Sequence, residues 1–312
     1  MNIEKILNPL NSIKLVGMDK YFDELIKLYN SERMPKALLI SGEKGLGKFT
    51  LINHLINYFF SKNSYNYKEK KINPNTETYK KILEGTFENI IFFKNEGSQT
   101  TKINDIRNLK LNLSKSNANN KPRFIVLDDV EKLNINSSNA LLKSIEEPSD
   151  KNFFILIDNK ENDVISTISS RCLKFKIFIN ELKKKDIIKT LIKDQNIEVN
   201  LKYESLDLSP GMFFKFNDLC IKHEIFDDIE YLEKIKKLLN LYKTAKDKNF
   251  VNLAILLTDQ YFYNLSIKNK NRVFLLNSVK NKIIHYINNF FIYNLNLNSI
   301  LNLIDTEFKH AK

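Results

Sequence analysis

The spacing of hydrophobic positions along this chain changes near residue 180. Before that point, short apolar runs alternate with segments whose apolar residues recur at helical spacing. The apolar runs lie at 37–40, 88–93, 123–129 and 152–157, and an alternating run follows at 173–178. Strands that alternate with helices in this way predict an α/β fold with a five-stranded, doubly wound parallel sheet.

Each run also predicts a position in that sheet. The run at 123–129 is apolar until it ends in Asp128 and Asp129, which is typical of an interior strand. We expect this strand to lie beside the strand at 37–40. The run at 88–93 predicts a short buried strand, whereas the alternation at 173–178 predicts an edge strand.

The segments between these runs also predict structural elements. An amphipathic helix is predicted before the first strand, and the Lys-, Asn-, Tyr- and Ser-rich residues 61–78 predict an exposed insertion. After the run at 123–129, a helix is predicted that Ser137, Ser138 or Asn139 can cap and that Pro148 ends.

Beyond residue 180 the apolar positions recur only at helical spacing. The pattern predicts three domains: an α/β domain at 1–179, a small helical domain at 180–220 and a helical bundle at 221–312.

Composition and charge narrow the function classes. Of 312 residues, 43% are hydrophobic, and no apolar stretch reaches the roughly 18 residues of a membrane span. There is no signal peptide pattern at the start, so we expect a cytoplasmic protein. Cys172 and Cys220 are too few for a disulfide framework and predict buried, reduced thiols.

The net charge of +12 is compatible with binding to nucleic acid. However, only five of the 49 Lys and Arg residues are Arg, so the charge also fits a general drift of composition toward Lys. A DNA-binding module therefore stays one alternative. Its candidate residues share one predicted helix: Lys102, Arg107, Lys110 and Lys115.

A phosphate-binding loop is predicted after the first strand. Gly42, Gly47 and Lys48 occupy the fixed positions of the pattern G-x-x-x-x-G-K-[ST], and Gly45 adds a further glycine. Backbone N–H groups of such a loop can surround a phosphate, while the lysine reaches its outer oxygens.

The last position of this pattern lacks the expected metal ligand. A Ser or Thr hydroxyl would bind Mg²⁺ there, but this chain has Phe49. Thr50 is a poor substitute, because one helical step turns a side chain by about 100°. The sequence therefore predicts a phosphate loop with no metal bound.

The carboxylates Asp128 and Asp129 could act on a nucleotide from the sheet edge. Asp128 can hold Mg²⁺ through water, and Asp129 stands where a Glu would polarise the attacking water. Asp129 is one methylene shorter than Glu, and an error of about 1 Å can cost roughly a hundredfold in rate. The alternative is a strand that ends in solvated carboxylates.

Arg171 lies in the polar segment TISSRC between two predicted strands. One use for a guanidinium there is an arginine finger for the γ-phosphate of a neighbouring subunit. The other is a structural arginine at a helix C-terminus, which the spacing alone favours.

Two longer segments match a known pattern: RFIVLDDVEKLNINSSNALLKSIEEPSDKNFFILIDN and STISSRCLKF. They resemble the Walker B, sensor 1 and Ser-Arg-Cys segments of bacterial clamp-loader subunits of the AAA+ class. The match extends back through INDIRNLK and the phosphate loop, and covers roughly residues 8–180. The resemblance implies a P-loop AAA+ domain followed by a helical lid and a C-terminal helical collar.

The resemblance implies roles for individual residues. Asp128 and Asp129 are the Walker B pair, and Asn159, or alternatively Asp158, holds the sensor 1 position. Arg171 takes the place of the arginine finger that acts in a neighbouring subunit. The resemblance therefore favours the finger role over a structural role at a helix C-terminus.

Three positions depart from an active ATP site: Phe49, Asp129 and Met212, which follows Ser-Pro-Gly where the lid arginine is expected. Many relatives also carry a four-cysteine zinc module, and residues 61–78 contain no cysteine. We therefore expect neither zinc nor another cofactor, and whether ATP still binds stays open.

The resemblance implies a subunit of a DNA polymerase III holoenzyme with no ATPase or polymerase activity of its own. It would join gamma/tau and delta subunits in a hetero-pentamer, and reach the sliding clamp and primer-template DNA through that complex. An alternative within the class is an ATP-hydrolysing motor subunit of the gamma/tau type, in which Thr50 or water replaces the missing ligand.

Overall fold

The computed structural model describes residues 8–93, 121–226 and 228–311. Contacts divide the chain into two compact units. The first unit runs to Ile197 and includes Leu208–Met212, and the second comprises Glu198–Asp207 and the chain from Phe213 onward. The division into three domains at residues 179 and 220 stays a prediction.

All five predicted strands are present in the first unit. They are β1 (Ala37–Ser41), β2 (Ile90–Phe93), β3 (Arg123–Leu127), β4 (Asn152–Asp158) and β5 (Leu173–Lys176). The helices placed wholly in this unit are α1 (Asp19–Asn30), α2 (Lys48–Phe60), α3 (Glu77–Glu84), α4 (Ile135–Glu146), α5 (Ser166–Ser169) and α6 (Glu181–Gln195). The helix α7 (Pro210–Lys222) begins in the first unit and continues in the second.

The strands form one parallel sheet in the order β2-β3-β4-β1-β5. The prediction of β5 as an edge strand is confirmed. The expectation that β3 lies beside β1 is wrong, because β4 lies between them. Phe154 of β4 is in register with Ala37 of β1 on one side and with Ile125 of β3 on the other.

The interior strands bury both faces of the sheet. In β1, Leu38 and Ile40 belong to the core that also contains α1 and α2 side chains, whereas Leu39 faces the core that contains Leu141 and Ile145 of α4. Helices therefore cover both faces, which explains why these strands are apolar without alternation.

The predicted burial of β2 is wrong, whereas the predicted exposure of 61–78 holds for most, but not all, of that segment. The strand β2 is half-buried, because as an edge strand it has β3 as its neighbour on one side only. The insertion at 61–78 is partly buried: Tyr65 and Ile72 join the core of α1 and α2, and Lys70 binds Asp23 at 2.5 Å. Apolar residues scattered within a polar segment give no periodicity from which this burial could be predicted.

The start of α4 also differs from its prediction. Asn134 caps the helix by accepting a hydrogen bond from the backbone N–H of Ser137 at 2.8 Å. Ser137 and Ser138 are buried within the helix instead of capping it. The helix ends at Glu146, before Pro148, as predicted.

The second unit is helical, as predicted. Its C-terminal helices are α8 (Tyr231–Ala245), α9 (Lys248–Lys268), α10 (Val273–Tyr293) and α11 (Leu297–Ala311). Each packs on the next, and α11 also contacts α8. Tyr231 stands at this junction, because its ring stacks on Tyr261 and Phe308 and its hydroxyl lies 3.0 Å from Thr258 Oγ1.

None of the helices in the described ranges is long and apolar enough to cross a membrane. The helix predicted after 88–93, the segment INDIRNLK and the DNA-contact candidates Lys102, Arg107, Lys110 and Lys115 lie outside the described residues. These predictions stay predictions.

Candidate nucleotide site

The phosphate-loop pattern forms the connection between the end of β1 and the start of α2. Gly45 and Gly47 have φ angles of +85° and +90°, in the region that glycine adopts far more readily than other residues. Gly47 directly precedes α2, so Lys48 is the first residue of that helix. The segment thus folds as strand, loop and helix.

The Lys48 side chain points back to its own loop. Only 2% of Lys48 is exposed, and its ammonium donates to the carbonyl oxygens of Gly42 at 2.6 Å and Glu43 at 2.7 Å. Burial lowers the pKa of Lys48 to about 8, although the carboxylates of Asp128 and Glu131 act to raise it. The donors of Lys48 that a phosphate would need are therefore directed to backbone carbonyls.

Phe49 belongs to the core. It is 7% exposed and packs on Phe92 of β2, with 5.2 Å between the ring centroids. The position that would supply a hydroxyl to Mg²⁺ therefore supplies apolar surface to the interior. Thr50 is half-buried and makes no side-chain hydrogen bond with any residue in the described ranges.

Asn159 connects the two carboxylates that follow β3. Its amide Nδ2 donates to Asp128 Oδ1 at 3.0 Å and to Asp129 Oδ1 at 2.7 Å. It can do so because β4, which leads into Asn159, is the direct neighbour of β3. Asp158, the alternative for sensor 1, is buried and binds Lys160 at 2.8 Å instead.

Asp129 has both carboxylate oxygens occupied. Asn159 binds Oδ1, and Lys132 binds Oδ2 at 2.6 Å. Burial acts to raise the pKa of Asp129, but the Lys132 hydrogen bond and the charge of Lys44 outweigh it and lower the pKa. Burial and the charge of Asp129 raise the pKa of Asp128. Asp129 is thus held as an ion-paired carboxylate.

Two lysines pair with two of the three acids that cluster at this edge. Oxygens of Asp129, Glu131 and Glu161 lie within 4.8 Å of one another. Lys44 binds Glu161 at 2.9 Å, and Lys132 binds the same carboxylate at 3.1 Å. For Asp129 and Glu161, the positive charge that a divalent ion would bring is supplied by ammonium groups, whereas the buried Glu131 Oε1 has no hydrogen-bond partner within the described part of the chain. With Phe49 in the core as well, these residues do not fit the Mg²⁺ site of an active P-loop ATPase.

The turn before α7 packs directly on the phosphate loop. Ser209 Oγ donates to the carbonyl of Lys44 at 2.5 Å, and the N–H of Gly211 donates to the carbonyl of Gly45 at 2.9 Å. Glycine is needed on both sides, since a Cβ on Gly211 would lie 2.9 Å from Gly45 Cα. The next residue, Met212, therefore lies beside the loop. It occupies the position at which the resemblance described above leads one to expect the lid arginine.

Arg171 lies between α5 and β5, and its hydrogen bonds are made to residues outside the phosphate loop. Nε donates to Glu146 at the end of α4, and Nη1 donates to the carbonyl of Thr167 at 2.9 Å. Within the described part of the chain, none of its hydrogen bonds reaches the phosphate loop or the Walker B pair.

Several residues of this site were not predicted from the sequence. They are Lys44, Glu131, Lys132, Glu161, Ser209 and, beside Arg171, Glu146. Three of them could have been predicted: Glu131, Lys132 and Glu161 lie a few residues after β3 or β4. The carboxyl ends of these parallel strands meet at one edge of the sheet. Contacts of the loop with residue 209 had no such signal, because they join distant parts of the sequence.

The parallel sheet, the glycine loop and the carboxylates after β3 define an α/β domain with a P-loop. A family model described as "DNA polymerase III, delta subunit" matches residues 17–181, more than half of the chain. A delta' subunit of DNA polymerase III from Buchnera aphidicola is 27% identical over 242 residues. The chain therefore belongs to the delta' family of DNA polymerase III clamp-loader subunits.

Coverage differs among the relatives. The Buchnera match includes 74% of this chain and 70% of that protein. A gamma/tau subunit from Mycoplasma genitalium is 26% identical over 75% of this chain, but over only 39% of its own length. A gamma subunit-related protein from Thermotoga maritima is 15% identical with a TM-score of 0.44, covering 93% of this chain and all of that one.

The two loop glycines give a matched test of the packing on α7. Gly47→Ala places Cβ in open space, so we expect it to lower the free energy of unfolding by about 1–2 kcal/mol, from the positive φ alone. Gly45→Ala places Cβ 2.5 Å from Ser209 Oγ and 2.8 Å from the Met212 nitrogen. We expect at least about twice the loss for Gly45→Ala in urea unfolding. Equal losses would contradict the packing described.

Lys48 predicts a pH dependence of stability. Between its folded pKa of about 8 and its ordinary value of 10.5, the unfolded chain holds a proton that the folded chain has released. Stability therefore rises with pH across this window. Relative to Lys48→Met, we expect the wild type to gain on the order of 2 kcal/mol between pH 7.5 and pH 10, measured by urea unfolding. The exposed control Lys80→Met should follow the wild type, and a wild-type curve parallel to that of Lys48→Met would refute the prediction.

Proposed function

We propose that this chain is a non-hydrolysing subunit of a DNA polymerase III clamp loader. We further propose that it donates Arg171 to the ATP site of the neighbouring motor subunit. Membership of the delta' family supports the assignment to a clamp loader.

One observation carries the absence of hydrolysis: Phe49 is packed into the core against Phe92. A hydroxyl that binds Mg²⁺ cannot be supplied from that position without rebuilding the interior. The pairing of Asp129 with Lys132 and Asn159 adds to this, because a carboxylate with both oxygens engaged is poorly placed to polarise water. Met212 brings no positive charge from the lid side.

The exposure of Arg171 supports the finger role. Its side chain is 37% exposed, and its Nη2 group has no partner among the described residues. An exposed guanidinium with a free Nη2 group is suited to bind an oxygen of a terminal phosphate.

The proposed partners are gamma/tau and delta subunits in a hetero-pentamer, with the sliding clamp and primer-template DNA reached through that complex. Exposed apolar side chains on α9 and α10 support a partner for the collar helices. Phe274 is 94% exposed, and Tyr263, Ile267 and Leu275 are also exposed. Such exposed apolar side chains offer surface that another protein could cover.

The first test is ATP turnover and ATP binding by the purified chain. We expect no turnover above background with Mg²⁺ and no Mg²⁺-dependent binding in calorimetry. The clamp-loader motor subunit from the same source, assayed in parallel, is the positive control. Turnover by the chain alone would refute the non-hydrolysing role and indicate a motor subunit.

The second test is Arg171→Ala in a reconstituted clamp loader. The complex is assembled so that only the motor subunit next to this chain can hydrolyse ATP. We expect clamp- and DNA-stimulated turnover to fall roughly 10³-fold, because the transition-state charge loses its guanidinium. Assembly, measured by gel filtration, should be unchanged.

Lys174→Ala is the control for this test, since Lys174 is an exposed cation on β5 close in sequence to Arg171. It should leave turnover unchanged. Full turnover with Arg171→Ala would exclude the finger role.

A further inference from the structure

We propose that Glu146 is a positioning residue that fixes the direction of the Arg171 guanidinium. This inference rests on the proposed finger role of Arg171. Glu146 does not contact the phosphate itself: it holds Nε of the guanidinium so that Nη2 is presented to a terminal phosphate of the neighbouring subunit.

The fold places Glu146 at a fixed point. It is the last residue of α4, which Pro148 prevents from continuing. The helix α4 is anchored by Leu141 and Ile145 in the core that also holds Ile168 of α5. Glu146 and the turn that carries Arg171 are thus attached to the same packed layer, and the distance between them is set by that core.

The hydrogen bonds of Arg171 leave one of its three guanidinium nitrogens available. Nε donates to Glu146 Oε1, and Nη1 donates to the carbonyl of Thr167 at 2.9 Å. Because the guanidinium is planar, bonds from two of its nitrogens fix its plane and its orientation. The Nη2 hydrogens are left without a partner among the described residues.

The position of the carboxylate agrees with this role. Glu146 binds Nε, which leaves both Nη2 hydrogens to bind a phosphate. A structural role is a weaker explanation: the Glu146 and Arg171 side chains are 41% and 37% exposed, and an ion pair that exposed contributes little to stability. Its effect on orientation is larger, since small displacements of a catalytic group greatly reduce rate.

The test compares Glu146→Ala with Glu146→Gln in the reconstituted clamp loader whose only active site is next to this chain. Alanine removes the acceptor, whereas glutamine keeps a carbonyl oxygen that can still bind Nε. We expect Glu146→Ala to lower kcat about 10-fold with KM for ATP changed less than twofold. Glu146→Gln should stay within about threefold of the wild type.

Two controls accompany these variants. Glu147→Ala removes the adjacent exposed carboxylate, which has no bond to Arg171, and should leave kcat unchanged. The thermal unfolding of Glu146→Ala should match the wild type, which separates positioning from folding. In the background of Arg171→Ala, Glu146→Ala should have no further effect, because the two residues act as one unit.

The outcomes separate this inference from the finger role itself. If Arg171→Ala abolishes turnover and Glu146→Ala does not lower it, the positioning role is wrong and the finger role stands. A higher kcat with Glu146→Ala would show that the carboxylate competes with phosphate, and would also overturn the proposal. If Arg171→Ala retains full turnover, the finger role fails and the positioning role with it.

Discussion

The position of β4 between β1 and β3 controls the polar chemistry at the carboxyl edge of the sheet. It brings Asn159 next to Asp128 and Asp129, so that one side-chain amide binds both carboxylates. The buried ammonium of Lys48 lies within electrostatic reach of the same acids. In a buried setting each polar group requires a partner, and here most partners come from this chain, which leaves fewer groups directed at a nucleotide.

The candidate functional residues differ in whether their contacts lie within this chain or leave them exposed. Phe49, Lys48 and Asp129 are bound within the protein by core packing, backbone carbonyls and ion pairs. Arg171 differs, because part of its guanidinium is exposed and unpartnered within the described chain. The proposed action on the ATP of a neighbour rests on these two features.

How well each structural feature could be predicted depended on how far apart in sequence the interacting residues are. The five strands and the interior position of β3 follow from local apolar runs, and they were predicted. The cap of α4 was assigned to Ser137, Ser138 or Asn139, but Asn134 forms it, because several polar residues in a row can each begin a helix. The burial of Tyr65 and Ile72 depends on contacts with distant helices, which local composition does not encode.

The sequence by itself determined the α/β class, the glycine loop, the missing hydroxyl at Phe49 and the family that these motifs share. These properties depend on residue types at fixed spacing. Only the tertiary structure decided the strand order, the lysines that pair with Asp129 and Glu161, and the hydrogen bond that Arg171 donates to Glu146. The reason is physical: such contacts join side chains far apart in sequence, and their geometry exists only after the sheet and its helices have packed.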